Sequence, residues 1–229
     1  MIQQKLSAVT APTQFDMLAG TTDESPRRVF YEATKRMMDG VLAGVGILIL
    51  SPVFLLTALA VRIDSPGSVL FSQSRVGKDG RQFRCWKFRS MYTDAEARKA
   101  ALLAKNEMSG GVLFKMKNDP RITRVGRFIR KASIDELPQL WNVFIGDMSL
   151  VGPRPAVPAE VEQYTPYQRG RLKVKPGITC FWQVSGRSDL SFEEQVRLDI
   201  HYASVRSMSA DLSLLFKTIP AVLFARGAY

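Results

Sequence analysis

Asp135 and Glu136 stand side by side in the run Ser133-Ile134-Asp135-Glu136-Leu137-Pro138, ahead of a stretch with helical apolar spacing. Asp135 or Ser133 can cap the helix expected next. Pro138 fits the first turn better with Asp135 as the cap, because early turn positions have no intrahelical donor partner. One cap plus one acid compensating the helix dipole is an ordinary structural use of such a pair. The chemical use is a carboxylate nucleophile beside a Mg2+ ligand. The positive helix end would then lower the aspartate pKa and attract a diphosphate.

Three further segments carry groups suited to phosphate. In Gly152-Pro153-Arg154-Pro155 two prolines stiffen the backbone around one arginine, which makes either a rigid surface turn or a preset guanidinium fork. In Lys87-Phe88-Arg89-Ser90-Met91 basic and apolar residues alternate at strand period. Lys87 and Arg89 are therefore candidate phosphate contacts, or else the solvated charges of a half-buried strand. The segment from Lys173 to Arg187, KVKPGITCFWQVSGR, adds Lys175 and Arg187 as candidate substrate-binding groups. Its Trp182 suits nucleobase stacking, a head-group site, a core position or an interfacial anchor. Walker and Rossmann glycine patterns are absent.

The elements that must position these groups can be read coarsely. Residues 63–71 read as a turn at Asp64-Ser65-Pro66-Gly67 followed by a short strand. Lys78-Asp79-Gly80-Arg81 reads as a hairpin turn leading into a strand through Phe83, Cys85 and Lys87. Helices are expected over 94–105, 122–131, 136–145 (stopped by Gly146), 192–206 and 211–224. A mobile loop with Gly110-Gly111 is expected over 106–118. There is no internal repeat. Helices dominate and the strands are few and short.

Gly40 to Val61 contains no charge. As one straight helix its roughly 22 residues would span about 33 Å, enough for a hydrocarbon core. A soluble helix this apolar would need burial on every side. Ser51-Pro52 interrupts the run. The proline removes one helical hydrogen bond, and the serine hydroxyl can take up the freed carbonyl. Arg27, Arg28, Lys35 and Arg36 precede the segment, and Arg62, Arg75 and Lys78 follow it. Basic flanks favour the cytoplasmic side, and both flanks are basic. A helix that breaks at Ser51-Pro52 and returns to the same face satisfies both.

The expected fold class is α+β and mostly helical. A flexible tail (1–25) precedes a re-entrant membrane helix (26–62). A small globular catalytic domain with interfacial amphipathic helices (63–229) follows. The tail has no apolar h-region, so it is not read as a signal peptide. The 229-residue chain carries a formal charge of +11, which suits an anionic partner. Two cysteines and one histidine exclude a disulfide framework and a multi-histidine metal site, and fit a reducing compartment.

Three ordered stretches carry a family resemblance. They are KRMMDGVLAG with SPVFLLTALAVRIDSPGSVLFSQSRVGKDGRQFRCWKFRSM, then KNDPRITRVGRFIRKASIDELPQLWNVFIGDMSLVGPRP, then RLKVKPGITCFWQVSGR with DLSLLFKT. Together they resemble the monotopic phosphoglycosyl transferases, the bacterial sugar transferase family, over nearly everything after Arg27. Cys180 stands where the family usually has glycine, and Ile134 where it often has leucine. Among members, the chain is most similar to the small galactose-phosphate transferases that initiate exopolysaccharide repeat units. The resemblance implies a re-entrant helix broken at Ser-Pro. It implies Asp135 as nucleophile, Glu136 as Mg2+ ligand and Arg154 as a phosphate-binding arginine. It also implies transfer of galactose 1-phosphate or glucose 1-phosphate from a UDP-sugar to undecaprenyl phosphate, through a covalent aspartyl intermediate, with release of UMP.

The expected place is the bacterial inner membrane, with the site on its cytoplasmic face. The expected partners are the two substrates, membrane lipids, and a second copy of the chain or downstream glycosyltransferases; nucleic acid is not among them. A non-enzymatic membrane adaptor accounts for the apolar segment and the charge, but not for the acidic pair arriving together with the PRP turn. A nucleic-acid-binding protein accounts for the charge alone.

Overall fold

The computed structural model describes residues 25–102, 116, 118–185 and 190–223. The tail before Ser25, nearly all of the 106–118 loop, and Arg187 lie outside the described residues.

The described residues open on two helices, α1 (Pro26–Ile49) and α2 (Ser51–Asp64), bent by 61° at Leu50. The bend has a local cause. Pro52 cannot donate to Leu48 O, and Ser51 Oγ donates to that carbonyl instead, at 2.8 Å. No single described helix is long and apolar enough to cross a membrane, whereas the bent pair together has the length and composition.

The pair is apolar on its outside. Leu48, Ile49 and Leu55 are more than 70% exposed, and Val41, Val45, Leu56, Leu59 and Ile63 are also exposed. Its inner face is polar. Tyr31, Lys35, Asp39 and Ala43 recur every four residues along α1 and are all buried. Tyr31 Oη and Lys35 Nζ both donate to Asp211 Oδ2 at 2.8 Å, and Tyr202 Oη donates to Asp211 Oδ1 at 2.7 Å. Asp39 accepts from Leu150 N–H at 3.1 Å. A soluble core helix would show the opposite distribution.

After α2 come β1 (Leu70–Val76) and β2 (Gln82–Phe88), an antiparallel hairpin in the register Phe71↔Lys87, Gln73↔Cys85, Arg75↔Phe83. Its turn places Asp79 and Gly80 at positive φ, the conformation that Asp-Gly favours. The helices α3 (Ala95–Leu102) and α4 (Arg124–Lys131) follow. Thr123 caps α4 through Gly126 N–H, and Asp64 at the end of α2 accepts from Val125 N–H at 2.9 Å. Val61, Phe88 and Ile129 bury the junction of α2, β2 and α4.

The helix expected over 136–145 is shorter than its spacing suggests. A 3-10 turn at Ile134–Glu136 comes first, and α5 (Gln139–Ile145) begins after Pro138. Neither Ser133 nor Asp135 caps it. Ser133 lies in the left-handed region and makes no capping bond. The preceding turn already supplies Leu137 O and Pro138 O to the first N–H groups of α5, so no side-chain cap is required. Gly146 (φ 97°) closes α5 as expected.

Among the described residues there follow β3 (Ser149–Val151), α6 (Pro158–Glu162), a 3-10 helix (Gln168–Lys173), β4 (Gly177–Thr179), α7 (Phe181–Ser185), α8 (Phe192–Val205) and α9 (Met208–Leu223). Ser191 and Glu194 form a reciprocal capping box on α8. β3 and β4 pair in parallel, a contact between distant segments that sequence pattern did not indicate. The main core gathers Ala43, Cys85, Val143, Met148, Leu150, Val151, Val174, Tyr202 and Leu214. It therefore joins α1, the hairpin, α5, the parallel pair, α8 and α9.

Candidate active site

Four of the residues singled out above meet at one place. β2 delivers Lys87, the 3-10 turn delivers Asp135 and Glu136, and the segment after β3 delivers Arg154. Lys87 Nζ lies 2.5 Å from Glu136 Oε1, and Arg154 NH1 lies 3.2 Å from the same oxygen. Both cations bond Oε1, and no described hydrogen bond takes Oε2. Asp135 is 8% exposed, while the Arg154 side chain is 38% exposed. The acid beside the clasp is therefore sheltered, and the arginine reaches solvent.

The electrostatics separate the two carboxylates. Burial pushes Glu136 up, but the Lys87 ammonium and Arg154 guanidinium more than reverse this and hold it well below the ordinary carboxylate range. Burial also raises Asp135, and there it prevails. Lys87 opposes the rise, the Glu136 charge adds to it, and Arg130 and Arg154 oppose it. The lowered Asp135 pKa expected from a helix N-terminus is thus not found. A one-turn 3-10 segment has little dipole to offer, and desolvation outweighs it.

The PRP turn is held from two sides. Gly152 N–H donates to Thr179 O and Gly177 N–H to Pro153 O, both at 2.9 Å. The chains pass so closely that a Cβ on Gly177 would lie 2.1 Å from Gly152 N. On the other side Val76 N–H donates to Ala156 O at 2.8 Å, and Arg75 NH1 donates to Pro155 O at 2.9 Å. Arg154 is thereby fixed where it meets Glu136.

Other candidates go elsewhere. β2 ends at Phe88, and the Arg89 guanidinium donates to the carbonyls of Ser65 and Pro66. Arg89 pins the turn after α2 and does not join the acidic pair. Lys175 lines a small cavity against α1 with Lys35, Arg36 and Asp39, and burial and Arg36 both push its amine down. Trp182 is buried against Cys180 and Leu198, so it is a core residue and not an exposed stacking platform.

Two residues near the site were not among the site candidates read from the sequence. Arg130, in the last turn of α4, lies within electrostatic reach of Asp135. A basic residue there reads as ordinary dipole compensation. Arg75 shares the Cys85 and Lys87 face of the hairpin and touches the PRP turn. Its place on a strand separated it from the Pro-flanked arginine.

The donor set suits a hard divalent cation. Two adjacent carboxylates are present, one with an oxygen clear of the cationic clasp, and Mg2+ takes one or two carboxylates plus substrate phosphates. Among the described residues no group of three or more acidic, His or Cys side chains is placed to hold a metal.

Comparison with known proteins adds an independent line. The family model described as "Bacterial sugar transferase" matches residues 30–225. The chain is 48% identical over 195 residues to a galactosyl transferase, CpsE, of Streptococcus agalactiae, covering 85% of this chain and 43% of that protein. It is 44% identical over 198 residues to an undecaprenyl-phosphate galactose phosphotransferase of Salmonella typhimurium, covering 85% and 41%. It is 42% identical over 198 residues to the exopolysaccharide production protein ExoY of Rhizobium meliloti, covering 85% and 88%. The chain thus matches less than half of the first two relatives and most of the third.

Proposed function

This chain belongs to the bacterial sugar transferase family, and on that premise we propose that it transfers a sugar 1-phosphate from a UDP-sugar to undecaprenyl phosphate and releases UMP. The observation that carries the reading is the meeting of Asp135, Glu136, Lys87 and Arg154 beside a helix pair whose outer surface is apolar. The galactose in the names of two relatives supports galactose 1-phosphate as the group moved, with glucose 1-phosphate as the other candidate.

In this account Asp135 attacks the β-phosphorus of the UDP-sugar. A carboxylate oxygen–phosphorus bond forms, the bond to the bridging oxygen breaks, and UMP leaves with that electron pair. An oxygen of the lipid phosphate then attacks the aspartyl-bound phosphorus and frees the carboxylate. Arg154, whose side chain is partly exposed, offsets charge on the phosphoryl oxygens, and Lys87 holds Glu136 ionised. Glu136 would hold Mg2+, which when bound neutralises diphosphate charge. Purified protein assayed against a panel of UDP-sugars should release UMP in a Mg2+-dependent way. No release with any sugar would overturn the reading. Glu136→Gln is expected to raise the Mg2+ concentration needed for half-maximal rate and to lower the rate itself. A rate loss with unchanged metal dependence would assign Glu136 another role.

The bent pair is proposed as a re-entrant anchor that enters and leaves the cytoplasmic face of the inner membrane, bringing the site to the lipid head groups. Cysteines introduced at Ser25 and Ser68 should both resist an impermeant reagent applied to intact cells. Pro52→Leu restores an N–H near Leu48 O and should straighten the pair towards a span. Labelling of Ser25→Cys or Ser68→Cys from outside, in the otherwise unchanged protein, would rule out the re-entrant path.

A further inference from the structure

β2 pairs with β1 along one edge, and along the other, among the described residues, it meets a side chain instead of a strand. The Asn142 amide, with no exposed surface, accepts from Trp86 N–H at 3.0 Å and donates to Arg84 O at 2.7 Å. These are two of the outward-facing backbone groups of β2 that a third strand would engage. A more distant carboxylate, Asp147 Oδ2, accepts from the same Nδ2 at 3.4 Å. A primary amide can accept and donate at once, which alanine, leucine or an ionised aspartate cannot do. Asn142 stands on α5, directly after the turn that carries Asp135 and Glu136. Trp86 immediately precedes Lys87. One side chain therefore ties the segment bearing the acids to the strand bearing the cation.

We propose that Asn142 is a positioning residue that sets the register between α5 and β2, and so brings Lys87 to Glu136. Without it, Trp86 N–H and Arg84 O lose their partner in the core, and the hairpin is free to shift against α5. A misplacement of about 1 Å in the groups around a reacting centre can cost on the order of a hundredfold in rate. The inference rests on the proposed transferase reading in one respect: Lys87 is taken to serve turnover.

The test has one arm that does not depend on activity. In the membrane-extracted full chain, acylation of Lys87 by an amine reagent, followed by mass spectrometry, should be faster in Asn142→Ala than in wild type. Acylation of the exposed Lys78 should be unchanged. In the second arm, Asn142→Ala should lower kcat/KM for UMP release on the order of a hundredfold in the native background. In a Lys87→Met background it should cost almost nothing further, because the group it positions is gone. Asn142→Gln, which keeps the amide donor and acceptor on a longer stem, should fall between and serves if the alanine variant does not fold.

Unchanged Lys87 acylation overturns the inference, as do equal losses in both backgrounds. Failure of both variants to fold assigns Asn142 to stability alone and overturns it too. Faster Lys87 acylation with no UMP release from wild type would leave the positioning role standing and remove the transferase reading instead.

Discussion

Asp135→Asn is expected to reduce UMP release by a factor on the order of a thousand or more while leaving the fold intact. The side chain has nearly the same volume, and Asp135 caps no helix, so no capping bond is lost. An amide oxygen is a poor nucleophile towards phosphorus, whereas the carboxylate is the group the account needs. The stability effect has a definite sign. Burial holds the Asp135 carboxyl above its ordinary value in the folded protein. A carboxyl shifted this way favours folding only while protonated, and that contribution is lost as pH rises from the ordinary value through the folded one. Above the folded value the ionised group therefore opposes folding, and asparagine removes that opposition. The variant should melt at the same temperature as wild type or higher. Lost turnover with a lowered melting temperature would point to damage instead of chemistry, and retained turnover would dismiss Asp135 as nucleophile.

The second large effect is on stability. Asp211 has no exposed surface and receives Tyr31, Lys35 and Tyr202. Asp211→Ala leaves the Lys35 cation buried without its counter-charge, together with two orphaned hydroxyls. Breaking a buried ion pair from one side costs about 3–5 kcal/mol. The loss should be readable as a fall in thermal or denaturant midpoint of the extracted protein. Adding Lys35→Met should restore part of it, because the unpaired charge is then gone. Additive destabilisation by the two changes would show that the pair contributes little. Since α1 carries Tyr31 and Lys35 and α9 carries Asp211, this cluster fastens the apolar helix pair to the domain that holds the site.

The parts of the fold set by local chemistry were legible in the chain. The Ser-Pro break, the Asp-Gly hairpin turn and the glycine stop of α5 each follow from one or two residues acting on their neighbours. Contacts between distant segments were not legible. The parallel pairing of β3 with β4 joins two three-residue strands, too short to announce a period. The polar inner stripe of α1 was hidden because Tyr31 and Asp39 became intelligible only once Asp211 and Leu150 were seen opposite them.

The candidate site divides in the same way. The acidic pair and the Pro-flanked arginine stood out because their types and neighbours are unusual. Arg89 and Lys87 are two residues apart on one alternating run, and nothing local told them apart. Only the end of β2 at Phe88 sends Arg89 to the Ser65 and Pro66 carbonyls while Lys87 reaches Glu136. Asp135 illustrates a different limit. The backbone dipole at a helix terminus is a local property, whereas burial, which depends on the whole fold, decides the direction of its shift.

The central claim is that Asp135 holds the sugar phosphate covalently between two half-reactions. Mixing the wild-type protein with UDP-sugar and Mg2+, in the complete absence of lipid phosphate, tests it most directly. The account predicts a rapid burst of UMP of about one equivalent per active site, and exchange of labelled UMP back into UDP-sugar, both absent in Asp135→Asn. Direct transfer requires both substrates together. If UMP and its exchange are absent until lipid phosphate is added, the covalent route through Asp135 is contradicted.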